Sequence, residues 1–141
     1  MKVLLDTCVV SESLNPRGNQ VVKQMVERLD VTDTFLSVLT IGEITRGIYL
    51  LPQGRRRIEI EYWLSRVERC YEDRILPIDA QVARFWGEIT AQAQLRRDRL
   101  PTADGLIAAT AMAHGLHVMT RNVKDFEASG VLIVNPWQGA E

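Results

Sequence analysis

The sequence predicts an α/β protein with a parallel sheet of about five short strands flanked by helices. Two observations predict this class. Short runs rich in β-branched residues and leucine alternate along the chain with longer stretches in which apolar residues recur at helical spacing. Strands that alternate with helices pair in parallel, and strands covered by helices on both faces are short and apolar, as most of these runs are.

The predicted strands are apolar runs bounded by polar or turn-forming residues. They cover Lys2–Asp6, Thr34–Val38, Arg74–Ile78, His117–Thr120 and Val131–Val134. The predicted helices carry an apolar stripe at helical spacing, and they cover 19–29, Thr40–Leu51, 55–71, 80–97, Pro101–His114 and 123–128. Pro52 and Gly54 end the second of these helices, and Gly115 fits the C-cap of the fifth.

Length and composition predict one domain that spans residues 1–141. The chain is 46% apolar and 25% charged, with a formal net charge of -1. A positive field over the whole molecule is excluded, so contact with nucleic acid needs local basic patches. No stretch is long and apolar enough for a signal peptide or a membrane span. Cys8 and Cys70 lack metal-ligand spacing and predict reduced thiols in a cytoplasmic protein, with one disulfide as the alternative.

Four acidic residues fall near one edge of the predicted sheet. Asp6 ends the first strand, and Asp125 follows the strand His117–Thr120 by a few residues. Asp104 begins a helix, and Glu43 lies one turn inside the helix that follows the second strand. Ligands of open α/β sheets gather at the carboxyl ends of strands, so these acids are candidates for a site.

Each acid also has an ordinary structural role. Three fit helix starts, in the pairs Thr102–Asp104, Thr40–Glu43 and Asn122–Asp125. Asp6 is either a turn former or a ligand. Four crowded carboxylates, however, raise one another's pKa or require a cation, and ligands that are all oxygen favour Mg²⁺ or Mn²⁺. Thr7 and Thr120, beside the acids, are either ordinary strand-end residues or groups that orient water or a ligand.

Five stretches in order carry a family resemblance. They are LLDT (Leu4–Thr7), IGEI around Glu43, ADGLIAATA from Ala103, TRNVKDF (Thr120–Phe126) and VNPW (Val134–Trp137). The set spans nearly the whole chain and resembles a PIN domain, specifically a FitB-like toxin of the VapC family from a type II toxin–antitoxin pair.

The resemblance implies a metal-dependent endoribonuclease, a hydrolase that uses Mg²⁺ or Mn²⁺. Asp6, Glu43 and Asp104 match the acidic metal ligands of the family, and Asp125 is the expected fourth. Some relatives carry Asp in place of Asn122, which is expected here as a polar neighbour. Water activated by the metal is expected to attack the RNA phosphodiester in line and to leave a 5′-phosphate and a 3′-hydroxyl. Cys8 departs from the Asn that the family commonly has.

The resemblance also implies partners. It implies a homodimer and a cognate VapB- or FitA-like antitoxin that covers the acidic pocket, with operator DNA bound only through the antitoxin and no membrane contact. The segment Thr40–Leu64 mixes apolar and charged residues and is a candidate antitoxin groove. Arg96, Arg97 and Arg99 are candidate RNA contacts or a solvated helix face, whereas Arg55–Arg57 is expected to be solvated.

Other functions fit the residues less well. A metal-free ribonuclease needs two histidines as acid and base, and His114 and His117 are expected to be structural. Haloacid-type phosphatases need Asp-x-Asp after the first strand, and here the third residue is Cys8. A receiver-type signalling domain needs paired acids there, and Asp6 stands alone. The alternative is a catalytically inactive PIN-fold binding module that acts through its partner. The RNA target and the number of metal ions are open.

Overall fold

The structure is a computed structural model that describes residues 1–138. Its strands are β1 (Val3–Leu5), β2 (Thr34–Ser37), β3 (Ile75–Leu76), β4 (His117–Met119) and β5 (Ile133–Val134). They form one sheet in the order β3-β2-β1-β4-β5, and every neighbouring pair is parallel. The predicted α/β class is therefore confirmed, with strands at or inside the predicted bounds. Strand β3 keeps only two residues because Arg74 belongs to a 3-10 turn, Glu72–Arg74, and because Pro77, which has no amide hydrogen to donate, follows Leu76.

Seven α-helices surround this sheet within residues 1–138. They are α1 (Thr7–Leu14), α2 (Gln20–Arg28), α3 (Val38–Leu50), α4 (Arg55–Cys70), α5 (Ala80–Leu95), α6 (Thr102–Ala113) and α7 (Val123–Glu127). Two further 3-10 turns cover Val31–Asp33 and Pro136–Gln138. In this part of the chain, no helix is both long enough and apolar enough to cross a membrane.

Helix α1 is the element that the sequence did not predict. It starts directly after β1 because the Asp6 carboxylate accepts a hydrogen bond from the Thr7 amide and acts as its N-cap. Its residues include β-branched Val9 and Val10, which are buried against the sheet. The helix therefore depends on its cap and on tertiary packing more than on helix propensity.

Helix α3 starts two residues earlier than predicted. The Ser37 hydroxyl accepts a hydrogen bond from the Leu39 amide at 3.0 Å, so Ser37 is the N-cap and the helix begins at Val38. Thr40 is then inside the first turn, and the predicted Thr40–Glu43 capping box is wrong. The shift places Glu43 in the second turn, where its carboxylate is not needed to cap the helix.

Two other helix starts differ from prediction in their caps. Pro101 holds the N-cap position of α6 without a side-chain hydrogen bond, and Thr102 is the first helical residue, so the predicted Thr102 cap is wrong. Asn122 does hold the N-cap position of α7, but its side chain makes no capping hydrogen bond. Asp104, in the first turn of α6, carries the negative charge that suits a helix N-terminus.

The central strands have apolar side chains on both faces, so the sheet has a core on each side. Leu4 and Val118 pack with residues of α5, α6 and α7, listed as Val82, Ile89, Ile107, Ala108 and Phe126. Val3, Leu5 and Met119 pack on the other face with residues of α1, α3 and α4, listed as Val9, Val10, Ile44, Ile48 and Leu64. Because successive side chains of β1 and β4 point to opposite faces of the sheet, each of these strands is buried between two helical layers.

Small residues in α6 allow a close approach to α5. A Cβ atom at Gly105 would lie 3.2 Å from Cδ1 of Trp86 and 3.4 Å from Cγ of Leu100. These separations are tight for carbon contacts, so the indole of Trp86 packs directly against the backbone next to Asp104. Gly105 therefore allows α6 to pack closely against Trp86 of α5 at the position next to Asp104.

Candidate active site

Asp6 lies at the carboxyl end of β1, the middle strand of the sheet. It is 4% exposed, and its amide donates to the Met119 carbonyl of β4 at 2.9 Å. Its Oδ1 accepts from the Thr7 amide at 2.9 Å, and its Oδ2 accepts from the Thr120 hydroxyl at 2.7 Å. Residues that follow β1 and β4 therefore fix both oxygens of a buried carboxylate.

The Thr120 hydroxyl is the strongest side-chain contact of Asp6, and it also accepts from the Asn122 amide at 3.0 Å. We expect Thr120→Val to destabilise the fold by roughly 1–3 kcal/mol, because it leaves a buried carboxylate oxygen without this donor. Urea unfolding measures the loss. Thr120→Ser keeps the hydroxyl and is the matched control, so an equal loss in both variants would contradict this role.

A hydrogen bond connects Thr7, at the start of α1, with Glu43, in the second turn of α3. The Thr7 hydroxyl donates to Oε1 of Glu43 at 2.7 Å and lies 3.1 Å from the Thr40 hydroxyl. Glu43 is exposed, whereas Thr40 is fully buried. Thr40 is a member of this network that sequence reasoning assigned only to a cap. The burial of Thr40 inside α3 is what identifies it as part of this network, and a sequence alone does not show that burial.

Asp104 is surrounded by the other three acids. Burial, followed by the negative charges of Asp6, Asp125 and Glu43, raises the pKa of Asp104 from 3.8 to about 6. Within residues 1–138, no lysine or arginine forms an ion pair with any of the four carboxylates. The sheet edge and the starts of α6 and α7 therefore bring together an acidic cluster whose charges are not compensated.

Asp125 and Asn122 differ in what they contribute to this cluster. Asp125 lies in the first turn of α7, is exposed, and is one of the charges that raise the pKa of Asp104. The exposed Asn122 donates its backbone amide to Thr120. Asp125 therefore contributes a charge to the cluster, whereas Asn122 contributes a backbone amide in the connection from β4 to α7.

Cys8 lies against the buried carboxylate at the start of α1. Its Sγ is 3.6 Å from Oδ2 of Asp6 and 3.6 Å from Oγ1 of Thr120. Burial and the charge of Asp6 raise the pKa of the Cys8 thiol, against a hydrogen bond from the Arg121 backbone that lowers it. Cys8 is therefore a protonated, weak donor. Cys8 and Cys70 are both free in the structure and form no disulfide with each other.

The cluster fits a hard divalent cation of the kind that keeps part of its water shell. All candidate ligands are carboxylate oxygens, which is the donor type that Mg²⁺ and Mn²⁺ take. Among residues 1–138, no group of three or more His, Cys, Asp or Glu side chains is arranged so that it could hold a metal ion by itself. Mg²⁺ is usually bound through one or two carboxylates with several waters, so an open arrangement of unpaired carboxylates suits it.

The predicted RNA-contacting arginines lie between α5 and α6 and have different surroundings. Arg96 pairs with Asp98 at 3.1 Å and donates to the Ala128 carbonyl at 2.8 Å, so it has a structural role that the prediction lacked. Arg97 has a positive φ of 62° at the end of α5. Arg99 lines a cleft beside Asp125, and so does Lys124, a residue that sequence reasoning did not select.

Comparison with known proteins identifies the class. The PIN domain family profile matches residues 3–129, so the chain belongs to the PIN domain family. Toxin FitB of Neisseria gonorrhoeae is 37% identical over 136 residues, which are 96% of this chain and 98% of that protein. VapC ribonuclease Y4jK of Sinorhizobium fredii is 35% identical over 139 residues, or 98% and 99% of the two chains. The family that the ordered motifs predicted is confirmed.

A solved structure agrees with the sequence relatives. The structure of FitAB bound to an IR36 DNA fragment contains a chain that matches this one with a TM-score of 0.93 and 34% identity. The match covers 99% of this chain and 98% of the other. The five-stranded sheet and its surrounding helices are thus the arrangement found in FitB-like proteins.

Proposed function

We propose that this protein is the toxin of a type II toxin–antitoxin pair and that it cleaves RNA phosphodiesters in a Mg²⁺-dependent reaction. The observation that carries this proposal is the uncompensated acidic cluster, in which burial and then the neighbouring carboxylates raise the pKa of Asp104 to about 6. A bound cation stabilises such a cluster, and a divalent cation next to a phosphodiester suits hydrolysis. The similarity to Toxin FitB and to VapC ribonuclease Y4jK supports the same function.

The four acids have unequal roles in this proposal. Asp6 is buried and held by two donors, so it provides a rigid ligand at the sheet edge. Asp104 faces it from the first turn of α6, while the exposed Glu43 and Asp125 bind the ion directly or through its waters. When bound, Mg²⁺ or Mn²⁺ supplies activation of water and neutralises charge on the phosphate. Thr7 and Thr120 hold the carboxylates of Glu43 and Asp6 in orientation.

We also propose a homodimer and an antitoxin that covers the acidic pocket, as the family resemblance implies. Helices α3 and α4 pack on each other and expose a group of large apolar side chains between 62% and 70% accessible: Tyr49, Leu50, Ile58 and Tyr62. An exposed apolar group of this kind is typical of a protein interface, and it supports the predicted groove in Thr40–Leu64. Operator DNA would be bound through the antitoxin, since this chain has a net charge of -1.

RNA cleavage by the purified, antitoxin-free protein tests the enzyme. Total cellular RNA is incubated with Mg²⁺, with EDTA, and with the Asp104→Asn variant, and the cut ends are mapped. We expect discrete cuts with a 5′-phosphate and a 3′-hydroxyl that are absent with EDTA and with Asp104→Asn. Asp73→Asn is the matched control, because Asp73 is an exposed acid before β3, at the opposite edge of the sheet, and cleavage should persist.

Two outcomes would contradict the proposed function. Cuts that survive EDTA would exclude the metal-dependent reaction. Absence of cuts under every condition, together with no detectable Mn²⁺ binding in a titration, would favour the inactive binding module that acts through its partner.

A further inference from the structure

A cleft opens directly beside the acidic cluster, between the end of α5 and α7. Its volume is about 900 Å³, within the usual range of ligand clefts of roughly 300–1,000 Å³. One wall is formed by the end of α5 and the loop after it, from Gln92 to Arg99. The other wall runs from Lys124 in α7 to Gly130 in the turn that follows, and it includes Asp125 of the acidic cluster.

The walls of the cleft are joined by Arg96. Its guanidinium pairs with Asp98 on its own wall and donates to the Ala128 carbonyl on the opposite wall at 2.8 Å. The loop between the helices is also fixed internally, because the amides of Arg97 and Asp98 donate to the Gln94 and Ala93 carbonyls at the end of α5. The guanidinium of Arg96 is therefore used in these structural contacts and is not free to bind a ligand.

Two other cations lie on opposite walls of the same cleft. Arg99 and Lys124 are exposed and line it from the loop and from α7. Within the part of the chain that is described, neither forms an ion pair. The lining also contains Asp98, which pairs with Arg96, and the acids Asp125 and Glu127. Arg99 and Lys124 are therefore the groups of this lining that can contact an anionic ligand extending away from Asp125.

Among residues 1–138, none of the side chains that line this cleft is aromatic. Proteins that hold single-stranded nucleic acid by its bases use aromatic side chains as stacking surfaces, whereas contacts to the phosphates use Lys and Arg. The cleft therefore offers cations for the phosphates of a nucleic acid and no aromatic surface on which its bases could stack.

We propose that this cleft binds the RNA segment adjoining the scissile phosphate, with Arg99 and Lys124 contacting its phosphates and Arg96 fixing the cleft walls. The assignment rests on the proposed RNA cleavage. In this proposal, Arg99 and Lys124 determine the affinity for RNA. Arg96 has a different role, because it maintains the shape of the cleft. Sequence preference would then arise outside this cleft, because phosphate contacts do not discriminate between bases.

The test measures binding and cleavage separately. In the Asp104→Asn background, a fluorescent single-stranded RNA is titrated at several salt concentrations with and without Arg99→Gln and Lys124→Gln together. We expect the pair of changes to weaken binding by roughly tenfold and to reduce the slope of log K against log salt by about 1.4, or about 0.7 for each lost phosphate contact. With Asp104 intact, the same pair should raise KM, leave kcat within about twofold, and leave the cut sites unchanged.

Two further variants separate this role from general charge and from stability. Arg69→Gln removes an exposed cation from the last turn of α4, at the opposite edge of the sheet, and should change neither the slope nor KM. Arg96→Gln should lower the melting temperature, whereas Arg99→Gln should not.

An RNA affinity and salt slope that are unchanged by the double variant would overturn the proposal. So would a changed pattern of cut sites at constant KM. Cleavage by the unmodified protein in the same assay reports on the proposed function independently, so failure of the cleft and failure of the nuclease are distinguishable.

Discussion

Asp104→Asn should abolish RNA cleavage and at the same time raise the melting temperature of the metal-free protein at neutral pH. The pKa of Asp104 is about 6 in the folded protein against 3.8 as the ordinary value, so the folded state favours the protonated, neutral form. Asn resembles that neutral form at every pH. Because Asp104 is partly exposed, solvent screening reduces the gain to roughly 1 kcal/mol, or a few degrees in melting temperature.

The pH dependence of this gain has a definite sign. A carboxyl whose pKa is raised by folding contributes stability below its unfolded pKa, and this contribution is lost as the pH rises through the folded value of about 6. The advantage of Asp104→Asn should therefore be largest above pH 7 and should shrink as the pH falls toward 4. Thermal unfolding in EDTA at several pH values measures it, with Asp73→Asn as the control. A variant that melts lower than the original at pH 8 would contradict the expectation.

Phe126→Ala should cost roughly 3–5 kcal/mol of folding free energy and lower the melting temperature by about 10 °C or more. Phe126 is fully buried, and it packs with Leu4, Ile107 and Val118 in the core on one face of the sheet. Helix α7 has only five residues and is too short to be stable by itself, so this side chain anchors it. Loss of the anchor should also displace Asp125 and reduce cleavage in the molecules that stay folded.

Urea unfolding and cleavage assays of Phe126→Ala and Phe126→Leu check this second prediction. Leu retains much of the buried volume, so its cost should be no more than about 1.5 kcal/mol. Equal effects of the two substitutions, or a loss below about 1 kcal/mol for Ala, would exclude Phe126 as the anchor of α7.

The sheet was predictable because its strands are apolar on both faces and are separated by clear helical stripes. Helix α1 was not, because its sequence has no long stripe and its stability comes from the Asp6 cap and the burial of Val9 and Val10. The start of α3 was misplaced because Thr40 and Glu43 have the spacing of a capping box, whereas in the structure Ser37 caps the helix.

The acidic cluster was predictable because residues that end parallel strands gather at one edge of a sheet. The surroundings of the cluster were not. Arg96 donates to a carbonyl 32 positions away, and Lys124 lines the cleft through the placement of α7. Such contacts depend on where helices pack, and residue spacing along the chain does not contain that information.

The raised pKa of Asp104 also has a consequence for natural selection. Asp6 caps α1, so mutation of Asp6 would weaken the fold, whereas replacement of the Asp104 carboxylate would relieve repulsion. In a lineage that did not need the Asp104 carboxylate for its function, replacement of this acid would increase stability. Selection for folding would then not oppose the replacement. Asp104 is therefore a carboxylate that the fold of the metal-free protein disfavours.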